Sequence, residues 1–244
     1  DEQLDAWRER PLSVCPYLYL DAHYEKVRQA GQVRDAAVLK AIGVNAEGKR
    51  EVPGVSVSLS EHEVHWRTFL KGLVARGLTG VQLIVSDAHS GLRAARRAVF
   101  GAVPWQRCQF HLQQNAQAFV PKRHWRSEVA ADIRSVFNAP NRLEAERLLQ
   151  QLVEKYTERA PNLAQWLEEN LPEGLTVYDY PAHHRRRLRT ANIVERLNRE
   201  IRRRSRVATL CPNEASCLRL VTAVVMEISE EWETGRTYLR LDSD

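Results

Sequence analysis

The sequence has few cysteines and no long hydrophobic run. Its 244 residues include only four cysteines, which do not read as the disulfide framework of a small secreted domain. No apolar stretch approaches the ~18 residues that a membrane-spanning helix needs, and the acidic start, Asp-Glu-Gln-Leu-Asp, is not that of a signal peptide. Apolar residues make up 43% of the chain, so a real core can form. We expect a cytoplasmic protein without a membrane partner.

Positive charge is concentrated in one segment. The formal net charge is +5, but residues 185–206 hold ten arginines and no lysine against two glutamates, so this segment alone carries +8. An arginine-rich segment on a nearly neutral body is typical of proteins that bind the phosphate backbone, although a solvated helix face is the plainer alternative. The expected DNA-binding side chains are Arg185, Arg186, Arg187, Arg189, Arg196, Arg199, Arg202, Arg203 and Arg206.

The tripeptide Asp-Ala-His occurs twice, at Asp21-Ala22-His23 and at Asp87-Ala88-His89. Each copy follows a short apolar run, residues 17–20 and 81–85, that predicts a buried strand. An aspartate just past the end of a buried strand is a poor core residue but is well placed for chemistry, and two of them on neighbouring strands could share a divalent metal ion. The histidines could orient a carboxylate or a phosphate, or they could be an ordinary surface residue and a neighbour of a helix cap.

The order of predicted elements indicates an α/β fold. Strands are predicted over 17–21, 24–28, 34–44 and 51–58 as an antiparallel meander, followed by a helix at about 60–76, a strand at 81–85, a helix at 92–100 and a strand at 103–110. The pattern is helical over about 111–184, with one strand-like stretch at 176–178. A last helix is predicted at about 213–232.

This order is that of an RNase H-like mixed sheet flanked by helices, with an α-helical insertion between the fifth strand and the arginine-rich helix. We therefore divide the chain into a linker (1–14), a first part of the RNase H-like core (15–110), the insertion (111–184) and a second part of the core (185–235).

A third carboxylate lies in the arginine-rich helix, predicted over about 191–206. Glu195 shares one face with Arg199, Arg202 and Arg206, whereas the apolar residues 194, 197 and 201 point into the core. An ordinary Glu–Arg pair one turn apart is the alternative for Glu195. Beside Asp21 and Asp87, however, it would complete the oxygen ligands of Mg²⁺, which needs only two or three acidic side chains.

Cys108 and His111 have half of the spacing of a zinc site. A full site needs two more ligands, and the available residues, Cys211, Cys217, His183 and His184, stand at no diagnostic spacing. Packing or hydrogen bonding near the site is the more natural role for Cys108 and His111. Trp105 is most simply a core residue, and its functional alternative is to stack on a base.

Five blocks of the sequence together resemble the mutator-type transposases of bacterial insertion sequences, in the family's order and over about residues 6–235. The blocks are Tyr17-Leu18-Tyr19-Leu20-Asp21-Ala22; Ala41-Ile42-Gly43-Val44-Asn45 with Gly48 and Arg50-Glu51-Val52; Ser86-Asp87-Ala88-His89 with Gly91-Leu92; Trp105-Gln106-Arg107-Cys108 with His111; and Glu195-Arg196-Leu197-Asn198 with Glu200-Ile201-Arg202-Arg203-Arg204.

The resemblance implies a DDE-type catalytic domain with Asp21, Asp87 and Glu195 as its catalytic and metal-binding triad, and it maps the family's Cys-x-x-His signature onto Cys108 and His111. In such enzymes a metal-activated water or a DNA 3′-hydroxyl attacks a phosphodiester in line, first cleaving at the element's end and then joining that end to target DNA. Mg²⁺ is the implied cofactor, with Mn²⁺ as a substitute.

The resemblance also implies partners and a location. Double-stranded DNA, as transposon ends and target, is the expected partner of a homodimer or larger assembly, in a bacterial cytoplasm and at the nucleoid. The family's N-terminal region, which reads the terminal repeats, is expected to lie outside this sequence. The stretch Thr190-Ala191-Asn192-Ile193-Val194 departs slightly from the Thr-Thr-Asn-Pro-Ile of the family without touching the glutamate.

Two other functions remain open from the sequence. A structure-selective nuclease on the same fold would cleave DNA without joining strands, but the Cys-x-x-His and Glu-Arg-Leu-Asn blocks argue against it. A decayed remnant that only binds DNA would not need to retain three carboxylates.

Overall fold

The computed structural model describes residues 1–205 and 210–241. Five strands are present in this part of the chain: β1 (Tyr17–Gln29), β2 (Gln32–Val44), β3 (Arg50–Ser58), β4 (Leu83–Ser86) and β5 (Trp105–Arg107). The α-helices are α1 (Glu2–Glu9), α2 (Glu63–Ala75), α3 (Ser90–Phe100), α4 (Gln109–Ala116), α5 (Arg126–Phe137), α6 (Arg142–Thr157), α7 (Pro161–Asn170), α8 (Ala182–Leu188), α9 (Asn192–Ser205) and α10 (Glu214–Thr234). Short 3₁₀ turns span Gln117–Phe119, Arg123–Trp125, Leu171–Gly174 and Thr176–Asp179.

The strands form one mixed sheet in the order β3-β2-β1-β4-β5. Strands β1, β2 and β3 are an antiparallel meander, in which Asp21 is paired with Lys40 across β1 and β2. With helices following β3, β4 and β5 along the chain, the predicted α/β class, a mixed sheet flanked by helices, is confirmed.

Turn chemistry fixes the meander. The β1–β2 turn passes through Ala30 and Gly31, both at positive φ. In the β2–β3 turn the side-chain Oδ1 of Asn45 accepts hydrogen bonds from the backbone N–H groups of Glu47 and Lys49, each 3.0 Å long. Gly48 adopts a φ of +73°, and a Cβ at that position would lie 1.8 Å from the carbonyl oxygen of Leu239. Only glycine therefore fits this turn without displacing the chain that packs on it.

By compactness the chain divides into two units. The first comprises residues 1–84, 88–104 and 192–244. Its core holds strand β2, which is buried on both faces from residue 36 to residue 44, and the buried side chains of α2 and α10, such as Trp66, Leu70 and Val225. Helix α10 begins with the side chain of Asn213 accepting the N–H of Ser216 at 2.8 Å, a standard N-cap.

The second unit comprises residues 85–87 and 105–191. Its helices bury an apolar face, with Val129 and Ile133 of α5 fully enclosed. The fully buried Gln106 of β5 ties the unit together, because its Nε2 donates to the carbonyl of Gly174 at 2.8 Å and its Oε1 accepts from the N–H of Val177 at 2.7 Å.

Three predicted elements were wrong in detail. Strand β1 is continuous over Tyr17–Gln29, so Asp21 lies inside a strand and not past its end, because pairing with β2 runs without a break to the hairpin turn. Strand β5 ends at Arg107, since α4 begins at Gln109. Residues Thr176–Asp179 form a 3₁₀ turn and not a strand.

Within residues 1–205 and 210–241, none of the helices combines the length and apolar character that crossing a membrane requires.

Candidate active site

In the first unit, Asp21 connects the sheet to helix α9. Its side chain is 17% exposed, and its Oδ2 accepts a hydrogen bond of 2.9 Å from Nδ2 of Asn198. The ammonium of Lys40 lies 3.5 Å from the same oxygen. Both contacts use Oδ2, so the carboxylate is oriented by two donors on one oxygen while Oδ1 takes part in neither contact.

Lys40 is the least expected member of the site. It faces Asp21 across the β1–β2 ladder, and its side chain has no exposed surface. Nζ of Lys40 donates to Nδ1 of His23, and Nε2 of His23 lies 3.0 Å from Oε1 of Glu25. If Nδ1 accepts, Nε2 must carry the proton and donate to Glu25. The result is a chain of polar groups beneath Asp21, running from Glu25 through His23 to Lys40.

Burial is the main influence on the pKa values of Lys40 and His23. Loss of solvent lowers the pKa of Lys40 to about 8, against the opposing attraction of Asp21. Burial also lowers the pKa of His23, which favours the neutral imidazole that the hydrogen bonds require. The hydrogen bond from His23 holds the pKa of Glu25 below its usual value. A buried ammonium is therefore balanced chiefly by the carboxylate of Asp21.

Helix α9 presents one polar face and one buried face, as the sequence predicts. Val194, Leu197 and Ile201 are buried. The opposite face lines a groove of about 590 Å³, and in it Glu195 stands one turn before Asn198. The side chains that line this groove are Glu195, Asn198, Arg199, Arg202 and Arg203. The predicted grouping of Glu195 with Arg199 and Arg202 is thus observed, and Arg206 lies outside the described residues.

Asn198 has a buried acceptor without a partner. Its Nδ2 is used by Asp21, but its Oδ1 has no hydrogen-bond partner among the residues that the structure describes. A buried, unsatisfied amide oxygen is unusual in a folded protein. Asn198 donates to Asp21 and lines the same groove as Glu195, so its Oδ1 is a further oxygen that could ligate a metal ion.

The arginines of α9 differ in their partners. Arg203 donates to Glu200 at 2.8 Å, and Arg204 donates to Glu227 of α10. Arg196 and Arg199 line a second cavity of about 320 Å³, bordered also by Arg50. The side chains of Arg196, Arg199 and Arg202 are exposed, so they can meet an anionic ligand.

In the second unit, Asp87 directly follows β4, as predicted. The hydroxyl of Ser86 donates to the carbonyl of Asp87 at 2.8 Å, and Nε1 of Trp105 donates to that hydroxyl at 2.9 Å. The N–H of Cys108 donates to the carbonyl of Ser86 at 2.8 Å. Trp105 and Cys108 therefore fix the backbone that carries Asp87. Trp105 is only half-buried, so it is not the core residue that was expected, and its ring N–H serves this hydrogen-bond network.

The Cys-x-x-His pair has a local role around the start of α4. Cys108 is fully buried, and its Sγ accepts the N–H of Ala191 at 3.3 Å. His111 is half-buried on α4. In the described part of the chain, no group of three or more His, Cys, Asp or Glu side chains is arranged to hold a metal ion, a finding that covers the predicted carboxylates as well as Cys108 and His111.

The remaining predicted residues lie in different surroundings. His89 precedes α3 in the first unit, with its Nδ1 3.3 Å from Glu61, and it borders a cavity of about 760 Å³. Arg185 donates to the carbonyls of Tyr178 and Tyr180, and Arg189 donates to Asn138. Arg186 and Arg187 are exposed on α8.

Sequence reasoning missed Lys40, Glu25 and Asn198 as members of the site. One signal was available for Lys40, because it is the only charged residue in the apolar run from 36 to 44. Glu25 and Asn198 gave no such signal, since each stands among other polar residues.

Comparison with known families identifies the family of the chain. Residues 1–235 match the sequence profile of the family described as Transposase, Mutator family. The chain therefore belongs to the mutator family of transposases, a class of enzymes, and the resemblance inferred from the sequence is confirmed.

Individual relatives are transposases of insertion sequences. The chain is 57% identical over 242 residues to the transposase for insertion sequence element IS406 of Burkholderia multivorans, covering 99% of this chain and 62% of that protein. It is 40% identical over 243 residues to that of ISRM5 of Rhizobium meliloti, covering 99% and 61%. It is 41% identical over 244 residues to that of IS1081 of Mycobacterium tuberculosis, covering 99% and 59%. The chain spans about three fifths of the length of these curated relatives.

Among solved structures, a chain of the simian T-cell lymphotropic virus intasome in complex with PP2A regulatory subunit B56 gamma is 14% identical, with a TM-score of 0.28, and the match covers 65% of this chain and 49% of that chain. A likeness this weak supports no inference about fold or function.

Proposed function

We propose that this chain is the catalytic core of a DNA transposase, which cleaves DNA at transposon ends and joins the resulting 3′-hydroxyl to target DNA. The observation that carries the proposal is the arrangement on α9, where Glu195 shares a groove with exposed arginines and Asn198 holds the carboxylate of Asp21. Acidic oxygens beside exposed arginines suit a phosphodiester substrate.

The donor set fits a divalent cation with oxygen ligands. Oδ1 of Asp21 takes part in neither of the contacts described, Oδ1 of Asn198 is buried without a partner in the described chain, and Glu195 borders the same groove. Mg²⁺ prefers such oxygens and keeps several waters, so few protein ligands suffice. When bound, Mg²⁺ or Mn²⁺ supplies Lewis-acid stabilisation of a phosphoryl group during in-line displacement.

The protein's own side chains have distinct roles in this proposal. Asp21, Asp87 and Glu195 are the catalytic carboxylates that hold the metal ions. Arg199 and Arg202 hold the DNA backbone at the groove, with the exposed arginines of α8 and Arg196 as further phosphate contacts. Double-stranded DNA is the proposed partner, and a homodimer or larger assembly on paired ends is the proposed active form.

Nicking of supercoiled plasmid in the presence of Mn²⁺ tests the proposal. Asp21→Asn, Asp87→Asn and Glu195→Gln should each abolish nicking, because each removes a negatively charged metal ligand. Glu200→Gln is the matched control on the same helix, and it should nick as the parent does. Normal nicking by all three carboxamide variants would show that the site assignment is wrong.

Strand joining separates the transposase from the structure-selective nuclease. A short duplex with a free 3′-hydroxyl, incubated with the protein, Mn²⁺ and plasmid, should become covalently joined to the plasmid. Nicking without joining would favour the nuclease. Binding of DNA with neither activity would favour a decayed remnant.

A further inference from the structure

We infer that the segment Lys122–Arg126, named here the cationic turn, is an additional surface that binds the phosphate backbone of double-stranded DNA. This inference rests on the proposed function and extends it to a part of the helical insertion where the sequence analysis placed no binding residue. The ligand chemistry is that of closely spaced phosphates, which several cations can contact at once.

The cationic turn is exposed and free of acidic residues. It comprises Lys122, the 3₁₀ turn Arg123–Trp125 and Arg126, which is the first residue of α5. Lys122, Arg123 and Arg126 are all exposed, and Trp125 is half-buried. No aspartate or glutamate occurs from residue 117 to residue 127. Three positive charges therefore lie within five residues without a local counter-charge.

Ion pairing distinguishes these cations from others in the same unit. Lys122, Arg123 and Arg126 form no ion pair with any residue in the described ranges 1–205 and 210–241. Along α6, in contrast, the basic side chains are paired, Arg142 with Asp179 and Glu146, Arg147 with Glu144, and Lys155 with Glu128 and Asp132. The cations of the turn thus remain available to an external anion.

Aromatic contacts hold the turn in place without neutralising it. The guanidinium of Arg159 lies 4.4 Å from the centre of the Trp125 ring, and Nζ of Lys122 lies 5.0 Å from it. The preceding turn is fixed in a similar way, because Phe119 stacks on Trp166 with ring centres 5.4 Å apart. A backbone anchored by rings needs no ion pair for its conformation, so its cations are preorganised for binding.

Stability of the unit does not explain the placement of these charges. Cations before and at the first turn of α5 oppose the helix dipole, and the nearest acid on α5, Glu128, is taken by Lys155 and Arg159. Like charges in close succession also repel each other. Bound phosphates would offset this repulsion, so DNA binding accounts for the cluster where stability of the fold does not.

The salt dependence of DNA binding tests the inference. The variant Lys122→Gln/Arg123→Gln/Arg126→Gln should bind a labelled duplex of arbitrary sequence more weakly, with the slope of log K against log salt reduced by about two to three. The control Arg142→Gln/Arg147→Gln/Lys155→Gln removes the same charge from paired positions and should keep the parent's slope. Fluorescence anisotropy measures binding, and circular dichroism checks that each variant is folded.

The groove variant Arg199→Gln/Arg202→Gln separates failure of the inference from failure of the proposed function. If it loses affinity while the cationic-turn variant keeps the parent's slope, the inference is overturned and the proposed function stands. If the groove variant and the cationic-turn variant both keep the parent's affinity, the inference and the proposed function both fail. An equal loss in the paired control would also overturn the inference, because net charge alone would then explain the effect.

Discussion

Replacing Asp21 should destabilise the fold as well as remove a metal ligand, because Lys40 depends on it. The Lys40 side chain is fully buried and lies 3.5 Å from Oδ2 of Asp21. At an effective dielectric constant of ~20, the attraction across such a distance is roughly 4–5 kcal/mol. Asp21→Asn removes this attraction and leaves a buried ammonium without a carboxylate beside it.

Two effects reduce the expected loss. Asp21 is partly exposed, so solvent screens part of the attraction. Asp21 also raises the pKa of Lys40, which burial holds at about 8, so its removal lets the ammonium lose its proton near neutral pH and limits the penalty. Breaking a buried pair from one side typically costs about 3–5 kcal/mol. We expect Asp21→Asn to lower the free energy of unfolding by about 2–3 kcal/mol at pH 7.

Urea unfolding followed by circular dichroism measures this effect. The double variant Asp21→Asn/Lys40→Met should recover most of the loss, because neutral replacement of both partners is often nearly neutral for stability. Glu200→Gln, which breaks an exposed pair with Arg203, should remain close to the parent. An Asp21→Asn variant as stable as the parent, or a double variant less stable than both single variants, would refute the reasoning.

Three further predictions concern stability. The pKa of Lys40 falls from 10.5 to about 8 on folding, so between these pH values the unfolded chain binds more protons than the folded one. The free energy of unfolding of the parent should therefore rise by about 3 kcal/mol relative to Lys40→Met as the pH increases through this window. Urea unfolding at each pH measures the difference. Gly48→Ala should destabilise the protein more than Gly31→Ala in thermal unfolding. Both glycines have positive φ, but only at Gly48 would a Cβ meet a neighbour, the carbonyl oxygen of Leu239 at 1.8 Å. Backbone strain alone should lower the free energy of unfolding of Gly31→Ala by about 1–2 kcal/mol. Asn213→Ala should lower the free energy of unfolding by about 1 kcal/mol, because it removes the cap of α10.

The order of elements could be predicted because local signals are strong. The β2–β3 turn has Asn45 and Gly48 at the positions that its geometry requires. Helix α9 has its apolar residues at helical spacing, and these are the residues found buried. The length of β1 could not be predicted, since polar residues interrupt the apolar pattern after Leu20 and only pairing with β2 keeps Asp21 within the strand.

The carboxylates of the candidate site could be predicted from the sequence, but the residues that contact Asp21 could not. The carboxylates stand out because Asp-Ala-His recurs and because Glu195 lies in an arginine-rich helix. The partners of Asp21 come from β2 and α9, far away in the sequence, so no local pattern indicates that Lys40 and Asn198 meet on one oxygen. The DNA-binding role of the arginines stays a prediction, and the ion pairs of Arg203 and Arg204 arise from tertiary packing that periodicity does not reveal.

The central claim is that Asp21, Asp87 and Glu195 hold divalent metal ions, and a Mn²⁺ titration followed by electron paramagnetic resonance, with duplex DNA bound, tests it most directly. The parent and Glu200→Gln should bind Mn²⁺ alike, while Asp87→Asn and Glu195→Gln, and Asp21→Asn where it remains folded, should each bind it much more weakly. Equal Mn²⁺ binding by the parent and all the carboxamide variants would contradict the claim and assign these carboxylates a structural role.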